Sequence, residues 1–234
     1  GQERWADAEQ FAWNLTFSPG KSEMLKYRGY YGQALRLLAQ ATQAAVGRGD
    51  RYAQRSHIGH SAIAHESQCR YERALALYEQ TLTIDRELGD RRSEGVTLNN
   101  MAIVHQKQGR YAQALDLYEQ SLSINREVGD RPGEGQTLGN MAIVHAMQGR
   151  YAQALDLYEQ RLAICREVGD RSTEGNALFN LGLLHETQGN LEVALSHFTN
   201  ALAIFTALGS PHVAVTEEDI TRVRAALSGT ADES

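Results

Sequence analysis

The chain has 234 residues, of which 42% are hydrophobic and 22% charged, and its 23 basic and 29 acidic residues leave a formal net charge of -6. With both signs intermixed there is no concentrated positive face for a phosphate backbone, so nucleic acid is excluded as the expected partner. No apolar run approaches the roughly 20 residues that span a bilayer, and Cys69 and Cys165 are too few and too isolated for a disulfide framework or a Cys-based zinc site. The balance predicts a soluble, cytoplasmic chain without a cofactor, and the absence of an initiating Met fits a piece of a longer protein or a processed product.

Periodicity governs the rest. Tyr111–Gln120 (YAQALDLYEQ) recurs letter for letter at Tyr151–Gln160, Met101–His105 recurs at Met141–His145, and the Gly89-Asp90-Arg91 triplet recurs at Gly129 and Gly169, so the offset is 40 residues. Self-similarity at such a period is the signature of a module stacked on copies of itself.

In chain order, residues 1–30 read as a divergent cap or degraded repeat. Trp5, Phe11, Trp13 and Phe17 are its candidate apolar contacts, and Pro19-Gly20 and Lys21 break the pattern. Residues 31–50 read as a lone second helix of a partial repeat, because Tyr31, Ala34, Leu35 and Leu38 keep helical register. Four repeats follow at 51–90, 91–130, 131–170 and 171–210.

Within a repeat, Leu98, Met101, Ala102 and His105 lie at i, i+3, i+4 and i+7, one stripe of a helix A. Tyr111, Ala114, Leu115, Tyr118 and Leu122 form the matching stripe of a helix B. Gly109 and Gly129 are placed to end these helices in left-handed caps, and Asp130 to cap the next helix. Ala102 and Ala114 allow close approach, while Tyr111 and Tyr118 fill the space between hairpins. Residues 211–228 read as a closing helix begun by Pro211, and 229–234 as a tail. The expected fold is all-α, a right-handed superhelical solenoid of antiparallel helix pairs.

These residues resemble the tetratricopeptide family, whose signature runs W-x2-L-G-x2-Y and then Ala, Phe, Ala and Pro. The clearest copy is Leu178, Leu181, Gly182, His185, Leu191, Ala194, Phe198 and Ala201; the departures are a longer helix B and no closing Pro. The forty-residue variant is similar to the repeats of kinesin light chain, of the Leu-Gly-Asn spindle-orientation adaptors and of the sensor regions of bacterial signalling ATPases.

The resemblance implies a concave groove lined by A helices that holds a peptide or protein segment, with His60, Asn100, Asn140 and Asn180 reaching the bound backbone. A side-chain amide both donates and accepts, so a column of them can grip an extended chain whatever its sequence. Ile63, Ile103, Ile143 and Leu183, three residues on, give the groove an apolar face, and the variable flanks at Asn99, Phe179, Gln106 and Glu186 suit a surface that reads its partner.

The His65, His105, His145 and His185 column occupies the family's aromatic core position. Successive A helices stand roughly 8 to 10 Å apart, so these imidazoles cannot share one metal. The Glu94, Glu134 and Glu174 column, with Arg91, Arg131 and Arg171, reads as solvated helix-start residues or weak ion pairs, worth ~0 to 1 kcal/mol each. No nucleophile and base, phosphate loop or carboxylate dyad stands out, and no enzyme is expected. The expected function is a scaffold or adaptor for a protein partner; the alternatives are a sensor or autoinhibitory arm of a signalling ATPase and a self-associating array.

Overall fold

The computed structural model describes residues 28–231, so the expectations placed on Trp5, Phe11, Trp13, Phe17, Pro19, Gly20 and Lys21 lie outside the described residues. Within them the chain forms ten helices: α1 (Arg28–Gly47), α2 (Arg51–Ser67), α3 (Tyr71–Leu88), α4 (Arg91–Lys107), α5 (Tyr111–Glu127), α6 (Arg131–Met147), α7 (Tyr151–Val168), α8 (Arg171–Thr187), α9 (Leu191–Ala207) and α10 (Val213–Ala231). The fold class is an all-α helical repeat. The last helix starts at Val213 and runs beyond the expected end at residue 228 to Ala231, taking in part of what the sequence suggested was tail.

Punctuation follows from backbone chemistry. Asp50, Asp90, Asp130 and Asp170 each accept from a backbone N–H three residues on, at 3.0 to 3.1 Å, which satisfies an orphan donor of the helix that starts there. Gly89 (φ 67°) and Gly169 (φ 74°) end helices in the left-handed region, and Asp90 N–H reaches back to the Asp85 carbonyl at 3.0 Å. At the turn that Gly109, Gly149 and Gly189 make in later repeats, Cys69 adopts φ 57° instead.

The chain divides into two compact units, one ending at Ile124 and the other beginning at Asn125. In the first, α1 packs on α2, α2 on α3 and α3 on α4. The α1 stripe of Tyr31, Ala34, Leu38, Ala41 and Ala45 is buried, and a cluster of Ala62, Ala74, Tyr78, Leu82, Leu98, Met101, Val104 and Ile124 forms the core. Ala62 and Ala74 have no exposed surface, so the paired helices approach to the limit their methyl groups allow. A buried Tyr such as Tyr78 removes on the order of 150 to 250 Å² from water, about 4 to 6 kcal/mol gross at ~25 cal/mol per Å² before chain ordering is charged against it.

In the second unit α7 packs on both α6 and α8, α8 on α9, and α9 on α10. Its core joins Ala142, Ala154, Tyr158, Leu178, Leu181 and Phe205, and α10 closes over Phe198 with Ile220 and Val223. A Cβ on Gly182 would stand 2.7 Å from the Phe198 ring, so the glycine of the last hairpin lets the ring lie directly on backbone.

The acidic column forms the ion pairs its spacing allows but is buried, not solvated. Glu94, Glu134 and Glu174 are each 5% exposed, and each is clamped by two arginines. Glu94 accepts from Arg86 Nε at 2.8 Å and Arg91 Nη1 at 2.5 Å, Glu134 from Arg126 Nε at 2.8 Å and from Arg131, and Glu174 from Arg166 Nε at 3.0 Å and Arg171 Nη1 at 2.5 Å. Burial alone would raise the Glu94 carboxyl, but its hydrogen bonds from Arg86 and Arg91 outweigh that and hold it below the usual range. The second arginine comes from the end of the preceding helix B, a partner invisible without the fold.

Candidate functional site

In the first unit, α2, α3 and α4 line an open cleft of about 230 Å³, with Gly59 from α2 and Tyr78 and Thr81 from α3 among its lining residues. His60, Ile63 and Asn100 line it together with Ser56 and Val96, so three residues singled out from the sequence meet in one place. Asn100 is half-buried and makes no side-chain hydrogen bond among the described residues. Val96 is 51% exposed.

Beside these residues Thr97 Oγ1 donates to Asp85 Oδ2 at 2.7 Å, and Arg55 Nη1 donates to Asp85 Oδ1 at 3.3 Å. Burial pushes the Asp85 carboxyl up, against the pull of these two donors. The Arg55 charge therefore faces a carboxylate of its own unit.

In the second unit Asn140 on α6 and Asn180 on α8 are half-buried, and Asn180 makes no side-chain hydrogen bond among the described residues. Ile143 packs at the edge of the core and Leu183 is 36% exposed. Ile103, in the first unit, is half-buried.

Four flank residues are occupied by packing. Asn99 is buried at 5% exposure. Phe179 turns inward, its ring 5.5 Å from that of Phe198 and 6.4 Å from that of Phe205. Gln106 accepts from the Tyr118 hydroxyl at 2.7 Å, a hydroxyl that burial pushes well above its ordinary range. Glu186 accepts from Arg222 Nε and Nη2 at 2.8 and 2.7 Å.

The side chains at residues 139 and 179 follow what the facing helix B presents, whereas Gly59 is not forced by its own facing residue. A Cβ on Gly59 would stand 3.9 Å from Thr81, whereas one on Gly139 would stand 2.8 Å from Cζ and 2.9 Å from Cδ of Arg161. Phe179 has Ala201 as its counterpart. Side-chain volume is traded between the two helices of a hairpin. Sequence reasoning passed over Thr81 and Arg161, although the ten-residue identity of the second and third repeats ends at Ser121 and Arg161.

The histidine column lies half-buried near the ends of the A helices. Desolvation first, and then Arg70 and Arg73 for His65 and Arg110 for His105, lower the basicity of these two imidazoles. His185 stacks on His197 with centroids 5.3 Å apart and rings 6° from parallel. Among the described residues no three His, Cys, Asp or Glu side chains converge on a metal-sized site, and no helix is long and apolar enough to cross a membrane.

Tetratricopeptide-repeat models match residues 58–92 and 93–167. Residues 58–167 therefore carry tetratricopeptide repeats, the unit from which protein-interaction scaffolds are built. The fold of the chain is similar to that of BtubC (BKLC) from P. vanneervenii, with a TM-score of 0.67 and 17% identity over 85% of this chain and 92% of that one. It is similar also to a kinesin light chain protein with nearly identical TPR-like repeats from Podosopora anserina, with a TM-score of 0.65 and 18% identity over 88% of this chain and 96% of that one. A STAND signal-transduction ATPase with a tetratricopeptide-repeat sensor from Pyrococcus horikoshii gives a TM-score of 0.66 at 16% identity; 97% of this chain is covered, which spans 38% of that one. No curated protein matches the sequence significantly.

Proposed function

We propose that the chain binds an extended segment of a partner protein on the faces of its A helices, gripping the backbone through Asn100 with His60 in the first unit and through Asn140 with Asn180 in the second. The observation that carries this reading is Asn100, whose amide stands in the α2–α4 cleft with no side-chain hydrogen bond of its own. An amide left in such a place costs nothing only if water or a ligand satisfies it. Ile63 and Val96 in the same cleft supply apolar surface for a side chain of the segment.

The test is selection of random peptides displayed on phage against the whole chain, followed by binding of the selected peptides to Asn100→Ala and to Asn140→Ala/Asn180→Ala. Retained helicity and melting temperature with loss of binding support the reading. Binding untouched by every Asn variant refutes it, and unfolding of the variants would assign the column to inter-helix structure. A regulatory arm of a signalling ATPase would use the same faces on a segment of its own chain; a phosphate-binding loop in flanking gene sequence would favour that form.

A further inference from the structure

We infer that the α6–α8 face of the second unit selects an acidic residue, and that Arg161 is the group that receives its carboxylate. This rests on the segment-binding reading above and adds to it the chemistry of one ligand position.

The second and third repeats are near-copies, so their differences are informative. Ser121, Asn99 and Asn125 of the second become Arg161, Gly139 and Cys165 in the third. The three changes belong together. Arg161 lies across the backbone at Gly139, where even a Cβ would stand 2.8 Å from its Cζ, so the glycine is required for the guanidinium to lie there. The Cys165 thiol lies beside it; burial pushes that thiol up and the Arg161 charge pulls it back.

Arg161 corresponds to Thr81, which lines the cleft in the first unit. A half-buried cation ordinarily has a carboxylate partner. Arg55 has one in Asp85, but the residue corresponding to Asp85 in the third repeat is Cys165, which carries no charge to match. Among the described residues Arg161 forms no ion pair, and its Nε is buried without a hydrogen-bond acceptor.

Nearby acids are engaged elsewhere. Asp170 feels the Arg161 charge, but its carboxylate accepts from the Thr173 N–H at 3.0 Å, and Glu174 is held by Arg166 and Arg171. Gln136 and Asn140 on α6 and Asn176 and Asn180 on α8 are neutral amides, and Glu186, the acidic flank position of α8, is held by Arg222. Arg161 is thus a half-buried cation beside amides with no ion pair of its own among the described residues, and the acid that feels its charge, Asp170, is held in capping α8. That suits a backbone held by amides with a single Asp or Glu over Arg161, in the planar forked geometry guanidinium favours.

The peptide selection is repeated with two variants. Arg161→Ser/Gly139→Asn restores the pairing that the second repeat already uses, and Arg161→Met removes charge while keeping side-chain length. Peptides selected by the unmodified chain are expected to share an Asp or Glu position, and both variants to bind them about tenfold or more weakly. Exchanging that Glu for Gln in the peptide reads the same contact on unmodified protein, so the result does not depend on how the variants fold. Selected peptides without a shared acid, or equal affinity after the Glu→Gln exchange, would overturn the inference while leaving the Asn grip to its own test. Failure of the unmodified chain to select any peptide would overturn both.

Discussion

Replacing Cys69 with glycine should stabilise the first unit. Cys69 is exposed and sits at φ 57°, at a turn where the later repeats place Gly109, Gly149 and Gly189 at φ 73°, 73° and 79°. A side chain in that region costs roughly 1 to 2 kcal/mol. Glycine gives back about 0.5 to 1 kcal/mol through the greater freedom of its unfolded chain. The net gain is about 0.5 to 1 kcal/mol, or ~1 to 4 °C in melting temperature for a chain of this size.

Packing adds little, since a Cβ at the corresponding Gly109 would meet nothing within 4 Å. One side-chain effect must be separated from the backbone term: hydrogen bonding with the Cys69 thiol is the main influence raising the Tyr71 hydroxyl. Cys69→Ala removes that thiol and keeps the strained conformation, so comparing Cys69→Gly with Cys69→Ala isolates the backbone. Thermal melts followed by far-UV circular dichroism measure both, and Gly109→Ala should lose about what the glycine gains. If Cys69→Gly melted no higher than Cys69→Ala while Gly109→Ala were neutral, the left-handed turn would not be setting the stability of these junctions.

Acidification should weaken the first unit in a window set by His65 and His105. Both are less basic folded than unfolded, so the stability they permit is full above the unfolded value near 6.5 and is lost as pH falls through their lower folded values. Urea midpoints should fall between neutral and mildly acidic pH, and His105→Phe should flatten that decline; an unchanged slope would remove the imidazoles as its cause. Asp90 and Glu94, held below the usual carboxylate range, add a separate loss at lower pH, while Asp85, raised by burial, works in the opposite sense. Glu94→Gln should cost about 1 to 3 kcal/mol, because a buried acceptor of two arginine donors is weakened without relief of its burial. A cost below ~0.5 kcal/mol in chemical denaturation would return this column to the solvated surface role that its spacing suggested.

Repetition made the fold legible. Copies of one segment with apolar residues at i, i+3, i+4 and i+7 admit helices and little else, and the Gly-Asp-Arg triplets marked helix ends because only glycine enters the left-handed turn without strain and Asp caps the helix that follows. The Asn column could be picked out for the same reason. What the chain alone left open was the direction in which neighbouring side chains face. Asn99 and Asn100 differ by one position, about 100° around a helix, and the crossing of α4 with its neighbours buries the first and leaves the second in the cleft. Variation alone suggests Phe179, Gln106 and Glu186 for a ligand, whereas each is engaged by a neighbouring helix: Phe179 by the Phe198 ring, Gln106 by the Tyr118 hydroxyl and Glu186 by Arg222. The arginine clamps on Glu94, Glu134 and Glu174 and the unpaired Arg161 emerge only in three dimensions, since burial and missing counter-charges belong to groups brought together from different helices.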